Sequence, residues 1–417
     1  MKRVDLKKKK KSIQVIWIIT LCLCLMNACS DGDENSPGEK KEVPRPHPYQ
    51  YDVRVGGICY TLVPKARVAK VSPGDVYYAG NIIIPSTIEH EGTVYQVEEI
   101  SDSAFCGCRN LTAIVIPNSV KQIGLWTFKD CSSLKDVSLP EGLENIPVRM
   151  FAGCTALESV VIPEGPKKMG EMAFFSCTSL KSVILPNSIE EMEWRTFEGC
   201  TNLEYVKLSE SLRYINMECF SHCSNLCTID IPNSVTSIGN NAFAFCTSLV
   251  QLPLHDYMTG ISPRAFYNCT SLTSITIPSS IQDIGELAFG GCSGLTTVNW
   301  SAIKINPGTF ADCTSLSEFV IPEGVKEIRS DAFARCKNLA LVKIPSSVGT
   351  ISYRAFSGCE NLKDVYYDRE KLPDYCPDNI FENAYINYAT LHVPATAIEE
   401  FRATAPWSEF GNIVPID

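Results

Sequence analysis

Cysteine is the residue type in this sequence with the widest chemistry, because thiolates bind metals, form disulfides and act as nucleophiles. The chain has 20 cysteines among 417 residues. A phenylalanine lies three residues before twelve of them and a leucine three residues after. These twelve cysteines are 23 residues apart, except for one step of 21: Cys108, Cys131, Cys154, Cys177, Cys200, Cys223, Cys246, Cys269, Cys292, Cys313, Cys336 and Cys359. Such self-similarity indicates a solenoid, so these cysteines are expected to belong to its scaffold.

Disulfides are the first alternative for a cysteine-rich chain of a cell envelope. Cysteines of neighbouring coils would lie close enough for a bridge. Their side chains would point the same way, however, and a bridge would twist the stack. We therefore predict a buried column of free thiols that pack as small apolar side chains.

A metal site is the second alternative, because Cys219, His222, Cys223 and Cys227 lie close together in the sequence. Cys223 belongs to the repeat and Cys219 occupies one of its apolar positions, so scaffold is the favoured interpretation. The sequence contains neither HExxH nor GxSxG. A nucleophile and base brought together from two coils would leave no linear motif, but nothing favours one. We predict no enzyme activity, no catalytic residue, no metal and no cofactor.

The elements that carry these cysteines follow the consensus LxxVxIPxxVxxIGxxAFxxC. LxxVxI predicts a short strand with Leu, Val and Ile pointing inward. Proline ends the strand because it has no N–H to donate. VxxI predicts a second short extended segment on the opposite wall, the glycine that follows allows a tight corner, and AFxxC predicts one helical or 3₁₀ turn.

One coil cannot bury its own apolar positions, so the coils must stack about 4.8 Å apart, like paired strands. The fold class predicted is mostly β with short helical turns, a leucine-rich-repeat solenoid of about twelve 23-residue coils. The step of 21 residues places a deletion in the turn after Trp300, which itself takes an isoleucine position. A β-rich N-terminal segment and a C-terminal α/β segment are expected to cap the open ends.

The amino terminus predicts export, because a basic cluster precedes an apolar run that is too short to span a membrane. The five segments predicted are a signal peptide (1–28), an acidic and proline-rich tether (29–50), the N-terminal cap (51–96), the solenoid (97–362) and the C-terminal cap (363–417). Leu25–Cys29 resembles a bacterial lipobox, which implies a lipid on Cys29; an ordinary cleaved signal peptide is the alternative. The acidic stretch Ser30–Glu34 resembles an export signal to the outer face of the outer membrane.

Charge excludes some partners. Loss of residues 1–28 removes seven basic residues and one acidic residue, which takes the formal charge from −10 to −16. A chain this acidic repels nucleic acid and anionic lipid, so the only membrane contact expected is the lipid anchor. We expect a monomer.

The repeat resembles the BspA-like leucine-rich repeat of bacterial surface lipoproteins over residues 97–362. The cap sequences YAGNIIIPSTIEHEGTVYQVEEISDSAF and LHVPATAIEEFRATAPWSEFGNIVPI resemble that family as well. The resemblance implies a surface-exposed binding or adhesion protein without catalytic residues. It transfers no ligand residue.

Two surfaces are candidates for ligand binding. The first is the outward face of the LxxVxI strands, apolar from Val115 to Ile184 and polar beyond, whose candidate residues are Val115, Val161, Ile184, Tyr205, Lys207, Asp230, Asn299, Glu318, Lys343 and Tyr366. The second is an aromatic patch on the turn edge: Phe175, Trp194, Phe245 and Tyr267. Ordinary β surface and ordinary wall covering are the alternatives.

The leading hypothesis is an adhesin-like, non-catalytic lipoprotein that binds a protein of the host or of a neighbouring cell. A glycan-binding lipoprotein that assists polysaccharide capture is the first alternative. A structural envelope protein without a dedicated ligand is the second.

Overall fold

The computed structural model describes residues 50–416, which form a β-solenoid of about 14 turns with coils of roughly 23 residues. The predicted fold class is confirmed. The signal peptide, the lipid on Cys29 and nearly all of the tether lie outside the described residues and stay predictions. Within residues 50–416, no helix is long and apolar enough to cross a membrane.

The first wall consists of the LxxVxI strands, in which Leu, Val and Ile alternate into the core. In the coil of Cys292, for example, Leu272, Ile275 and Ile277 are buried while Ser274 and Thr276 are exposed. Strands of neighbouring coils pair in parallel, and each residue lies opposite the residue one repeat later, as Ser182 lies opposite Tyr205. The strands are β4 (Gly80–Ile83), β7 (Leu111–Val115), β9 (Asp136–Ser138), β12 (Ser182–Ile184), β14 (Tyr205–Lys207), β16 (Thr228–Asp230), β19 (Ser274–Thr276), β21 (Thr297–Asn299), β23 (Glu318–Val320), β25 (Leu341–Ile344), β27 (Asp364–Tyr367), β28 (Thr390–Val393) and β29 (Asn412–Pro415).

The second wall consists of the VxxI segments, as the sequence predicted. Each contributes two residues, the second of which is the inward isoleucine or methionine. These strands are β8 (Gln122–Ile123), β10 (Asn145–Ile146), β11 (Lys168–Met169), β13 (Glu191–Met192), β15 (Tyr214–Ile215), β17 (Ser237–Ile238), β18 (Gly260–Ile261), β20 (Asp283–Ile284), β22 (Lys304–Ile305), β24 (Glu327–Ile328) and β26 (Thr350–Ile351).

The AFxxC segments of successive coils form a third wall, which backbone hydrogen bonds hold together. Alternate N–H groups donate to the next coil, as Phe105 N–H does to Thr127 O at 2.9 Å, while Cys108 N–H donates back to Phe105 O at 3.0 Å. The residues five and one before each ladder cysteine have positive φ, for example Trp126 at 56° and Asp130 at 60°. The predicted helical or 3₁₀ turn is confirmed in its i to i−3 hydrogen bonds, but its backbone dihedral angles are not helical. In a helix the alternate N–H groups would not point toward the next coil.

The core is a column of aromatic rings and thiols. The twelve repeat phenylalanines are buried and stack from coil to coil, with successive ring centroids 5.1–6.0 Å apart. Tyr78 extends this column at the amino-terminal end and Phe381 at the carboxy-terminal end. Both caps therefore continue the core instead of merely covering it.

The twelve ladder cysteines are buried, and those from Cys131 onward are free thiols, as predicted. Their sulfur atoms also form hydrogen bonds that the sequence analysis did not foresee. From Cys131 onward, each ladder Sγ donates to the carbonyl oxygen of the phenylalanine in the preceding coil, at 3.0–3.3 Å. Burial raises the pKa of the Cys223 thiol well above its usual value, with smaller contributions from Cys200 and Cys246. The column is therefore unreactive.

The corner glycines are required for space, not for unusual dihedral angles. None of Gly124, Gly170, Gly239 and Gly285 has a positive φ. A Cβ on Gly285 would lie 2.1 Å from Pro263 N, and one on Gly124 would lie 2.4 Å from Asp102 N, both in the preceding coil. The tight corner was predicted, and close approach of two coils is its cause.

The N-terminal cap is β-rich, as predicted. β1 (Val53–Val55), β2 (Ile58–Val63) and β3 (Val68–Ser72) form an antiparallel meander, and β5 (Thr87–His90) pairs antiparallel with β6 (Thr93–Ile100). β6 crosses residue 97, where we placed the start of the solenoid, and it pairs with β8 of the second wall. β4 of the cap pairs with β7 of the first wall.

The C-terminal cap combines strands β28 and β29 with the helix Ile398–Arg402 and the 3₁₀ helices Ile386–Tyr388 and Trp407–Glu409. Phe401, Trp407 and Phe410 close the open end of the core, and the Trp407 ring lies 5.4 Å from that of Phe381. The predicted α/β cap is confirmed.

The first wall is interrupted in three places, where β9, β16 and β21 do not pair with the next strand of that wall. After β9, only a single bridge joins Ser159 to Ser182. The coil after β16 contains Pro253, which has no N–H to donate. The third interruption follows the two-residue deletion, which also separates β20 from β22. The core continues there, with Trp300 buried as predicted, but Phe289 and Phe310 are 6.0 Å apart, the widest step between repeat phenylalanines.

Candidate functional site

The outward face of the first wall has two rows of side chains, which the register of the strands defines. Row 1 contains Ile83, Val115, Ser138, Val161, Ile184, Lys207, Asp230, Pro253, Thr276, Asn299, Val320, Lys343, Tyr366 and His392. Row 2 contains Ala113, Asp136, Ser159, Ser182, Tyr205, Thr228, Gln251, Ser274, Thr297, Glu318, Leu341 and Asp364. Eight of the ten residues predicted for the ligand face lie in row 1, and Tyr205 and Glu318 lie in row 2.

The amino-terminal part of row 1 is apolar and exposed. The exposed fraction is 73% for Ile83, 44% for Val115, 80% for Val161 and 62% for Ile184. We define these four residues as the apolar section. The sequence analysis missed Ile83, although Ile82-Ile83-Ile84-Pro85 repeats the alternation of the later strands and Ile84 is buried. Ile83 lies opposite Val115, and Val161 is one coil from Ile184, so they form two exposed apolar pairs with Ser138 of row 1 between them.

The carboxy-terminal part of row 1 carries an aromatic pair. The rings of Tyr366 and His392 stack with centroids 4.0 Å apart, and Lys343 Nζ lies 5.3 Å from the centre of the Tyr366 ring. His392 Nε2 donates to Asp364 Oδ1 at 2.9 Å, which fixes the orientation of the imidazole. Tyr366 is therefore half-buried and held from both sides. His392 was absent from the predicted face because it follows Tyr366 by 26 residues, out of step with the 23-residue repeat.

Of the four aromatic residues predicted on the turn edge, only Phe245 and Tyr267 are in ring contact. The rings of Phe245 and Tyr267 meet edge to face at 5.6 Å, and His222 stacks on Phe245 at 4.5 Å. No ring contact joins Phe175 and Trp194 within residues 50–416, although Trp194 is 55% exposed. These two residues occupy different positions of the repeat, four residues apart, so stacking of coils does not bring their rings together.

The residues considered for a metal have other partners. Cys219 Sγ donates to Glu193 O at 3.2 Å, Cys223 Sγ to Phe197 O at 3.1 Å and Cys227 Sγ to Glu204 O at 3.7 Å. His222 is engaged with Phe245. No group of three or more His, Cys, Asp or Glu side chains in residues 50–416 is arranged to hold a metal ion.

One carboxyl group on the turn edge has an unusual environment. Burial raises the pKa of Glu198 to about 7; Arg195 opposes the shift and Glu218 adds to it. Arg195 Nε lies 3.5 Å from Glu198 Oε2 but donates its hydrogen bond to Glu218. Arg195 therefore compensates the charge of Glu218 more than that of Glu198, and the cost of burying the Glu198 carboxylate is only partly offset.

Comparison with known proteins identifies the repeat. A sequence profile described as BspA type leucine rich repeat region matches in six copies over residues 98–227, 213–303 and 297–402. No functionally curated protein matches the chain significantly.

Solved structures of other bacterial proteins are similar to this chain. A leucine-rich repeat protein from Bacteroides ovatus is 27% identical, with a TM-score of 0.59, and the match covers 82% of this chain and 100% of that one. A leucine rich cell surface protein from Faecalibacterium prausnitzii is 24% identical, with a TM-score of 0.41, over 89% of this chain and 96% of that one. The pneumococcal vaccine antigen PcpA is 19% identical, with a TM-score of 0.49, over 88% of this chain and 98% of that one.

Proposed function

Because the chain belongs to the BspA-type leucine-rich repeat family, we propose that it is a cell-surface, adhesin-like protein that binds protein partners through the outward face of its first wall. Solenoids of this kind are typically binding scaffolds without catalytic activity. The partner belongs to a host or to a neighbouring cell.

The observation that carries this proposal is the apolar section of row 1. Its four side chains have exposed fractions of 44–80%. Exposed apolar side chains on one face, here two pairs separated by Ser138 and flanked mostly by polar residues of row 2, are typical of protein interfaces. Paired strands hold Ile83, Val115 and Ile184 rigidly, so little conformational entropy is lost there on binding.

A substitution in this section tests the proposal. Capture of extracellular-matrix proteins by the purified protein is measured beside binding to a glycan array. Val161→Lys is expected to reduce protein capture at least about tenfold, because it places a charge at the centre of the apolar section. Val320→Lys is the matched control, since Val320 lies in the same row and is 59% exposed. Binding to glycans alone would support the alternative of a glycan-binding lipoprotein.

Localisation is the second part of the proposal. The chain is anchored in the outer membrane through a lipid on Cys29 and faces the cell exterior; the lipobox-like Leu25–Cys29 and the acidic residues after it support this. Protease added to intact cells is expected to degrade residues 51–417, and Cys29→Ala is expected to abolish incorporation of radiolabelled fatty acid. Survival of the protein in intact cells would contradict surface exposure.

A further inference from the structure

Two clefts open on the first wall, at the second and third of its interruptions. The larger, about 520 Å³, lies between β21 and β23, and the smaller, about 330 Å³, lies at the coil of Pro253. Both are in the size range of sites for small molecules. The sequence departs from its repeat at both places, because one coil has lost two residues and the other has a proline in its strand.

The larger cleft is lined by groups that form hydrogen bonds. They include Thr276, Thr297, Asn299, Trp300 and Glu318. Asn299 Nδ2 donates to Thr276 Oγ1 at 3.1 Å, while no group in residues 50–416 donates to Asn299 Oδ1. Trp300 is 94% buried, and its Nε1 has no hydrogen-bond partner in the described part of the chain. A buried donor without a partner is costly, so this coil departs from the usual pairing of buried polar groups.

Charge decides which ligands fit. None of the described residues that line the two clefts is Lys, Arg or His. Each cleft instead has one carboxylate, Glu318 in the larger and Asp230 in the smaller, and neither carboxylate forms an ion pair within residues 50–416. Phosphates, acidic sugars and nucleic acid are therefore disfavoured. Carboxylates, amides and hydroxyls suit the hydroxyl groups of a neutral ligand.

The two clefts adjoin at Thr276, which lines both. Together, and named here as one groove, they extend from Thr228 over β19 and β21 to Val320. This crosses five coils, or about 20 Å at the spacing of paired strands. A linear ligand with regularly spaced hydroxyl groups matches a groove of this length better than a compact one.

We propose that this groove is a binding site for a neutral, linear oligosaccharide, whose hydroxyl groups bond to Thr276, Asn299 and Glu318. The site is separate from the apolar section, which ends at Ile184, so it adds to the proposed protein binding and does not depend on it. The chain would then bind a protein with one part of row 1 and a glycan with another.

The test is isothermal titration of the purified protein with neutral oligosaccharides (xylo-, manno-, cello- and malto-hexaose) and with an acidic one, oligogalacturonate. At least one neutral oligosaccharide is expected to bind, with oligogalacturonate at least about tenfold weaker. Asn299→Ala and Thr276→Val are each expected to weaken binding about three- to tenfold, the effect of one lost hydrogen bond. Both positions are on the surface, so both variants should fold.

The matched control is Ser138→Ala, an exposed position of row 1 that lines neither cleft, which should bind like the wild type. Absence of binding by every neutral oligosaccharide at millimolar concentration would overturn the proposal. Tighter binding of oligogalacturonate, or equal effects of Ser138→Ala and Asn299→Ala, would also overturn it. None of these results bears on protein capture, which Val161→Lys tests.

Discussion

Removal of one ring from the aromatic column tests how the solenoid is held together. Phe220 has no exposed surface, and its ring stacks between Phe197 at 5.5 Å and Phe243 at 5.3 Å. Phe220→Ala would remove both contacts and leave a cavity of nearly the size of a phenyl ring. Buried Phe→Ala substitutions cost about 3–5 kcal/mol, depending on how far the surroundings collapse.

Collapse should be small at this position, so we expect the upper part of that range, about 4–5 kcal/mol. The backbone holds the coils apart on both sides, because Phe197 N–H donates to Cys219 O at 2.9 Å and Phe220 N–H donates to Ala242 O at 2.8 Å. Closing the cavity would break these hydrogen bonds. Each coil also contacts only its neighbours, so no distant part of the core can compensate.

The assay is urea unfolding followed by far-UV circular dichroism in the presence of a reductant, with the free energy of unfolding obtained by linear extrapolation. Phe245→Ala is the matched control, because Phe245 is a half-buried aromatic on the turn edge and should cost only about 1 kcal/mol. A loss below about 2 kcal/mol for Phe220→Ala, or equal losses for the two variants, would show that the stacked column is not the main source of stability.

Three further predictions concern thiols, pH and the corners. Iodoacetamide should label Cys227 and Cys376 in the native protein but not the ladder cysteines from Cys131 onward, which are buried, and all of these should react in urea, as counted by mass. Rapid native labelling of the ladder would contradict the buried column of thiols. The folded state raises the pKa of Glu198, so its stabilising contribution is complete below about pH 4.5 and is lost as the pH rises through about 7. The free energy of unfolding of the wild type, measured in urea, should accordingly fall by up to about 3 kcal/mol between pH 5 and 8. Glu198→Gln should remove this pH dependence, and an unchanged pH dependence would contradict the assignment. Gly285→Ala should destabilise the protein by about 2 kcal/mol or more in urea unfolding, because its Cβ would meet Pro263, whereas the control Gly142→Ala has open space and should suffer only from its positive φ.

Much of the fold was predictable because the same pattern of apolar residues, proline and cysteine recurs in about a dozen coils. Alternation in LxxVxI, the proline after it and the invariant Phe and Cys identified the walls, the core and the free thiols. The turn was less predictable, since its positive φ values occur at residues as different as Trp126 and Asp130. Those dihedral angles serve hydrogen bonds to the next coil, which leave no residue-type signature.

The candidate site was predictable only as a face. Sequence periodicity showed that residues such as Val161 and Lys207 point outward, and it identified the apolar stretch. It did not separate row 1 from row 2, and it did not reveal that Ile83 and His392 continue row 1 from the two caps. Those placements depend on pairing of β4 with β7 and of β27 with β28, which joins residues outside the repeat.

The sequence by itself determined the solenoid, its core and the role of its cysteines, because every coil has the same apolar positions and burial requires them to align. Only the tertiary structure decided which surface residues are neighbours. The groove around Thr276 exists because Pro253 and the deletion after Trp300 each interrupt hydrogen bonding between coils, and the width of such a gap depends on both flanking strands. Whether Phe245 meets Tyr267, or Phe175 meets Trp194, likewise depends on side-chain direction within a turn and not on the number of residues between them.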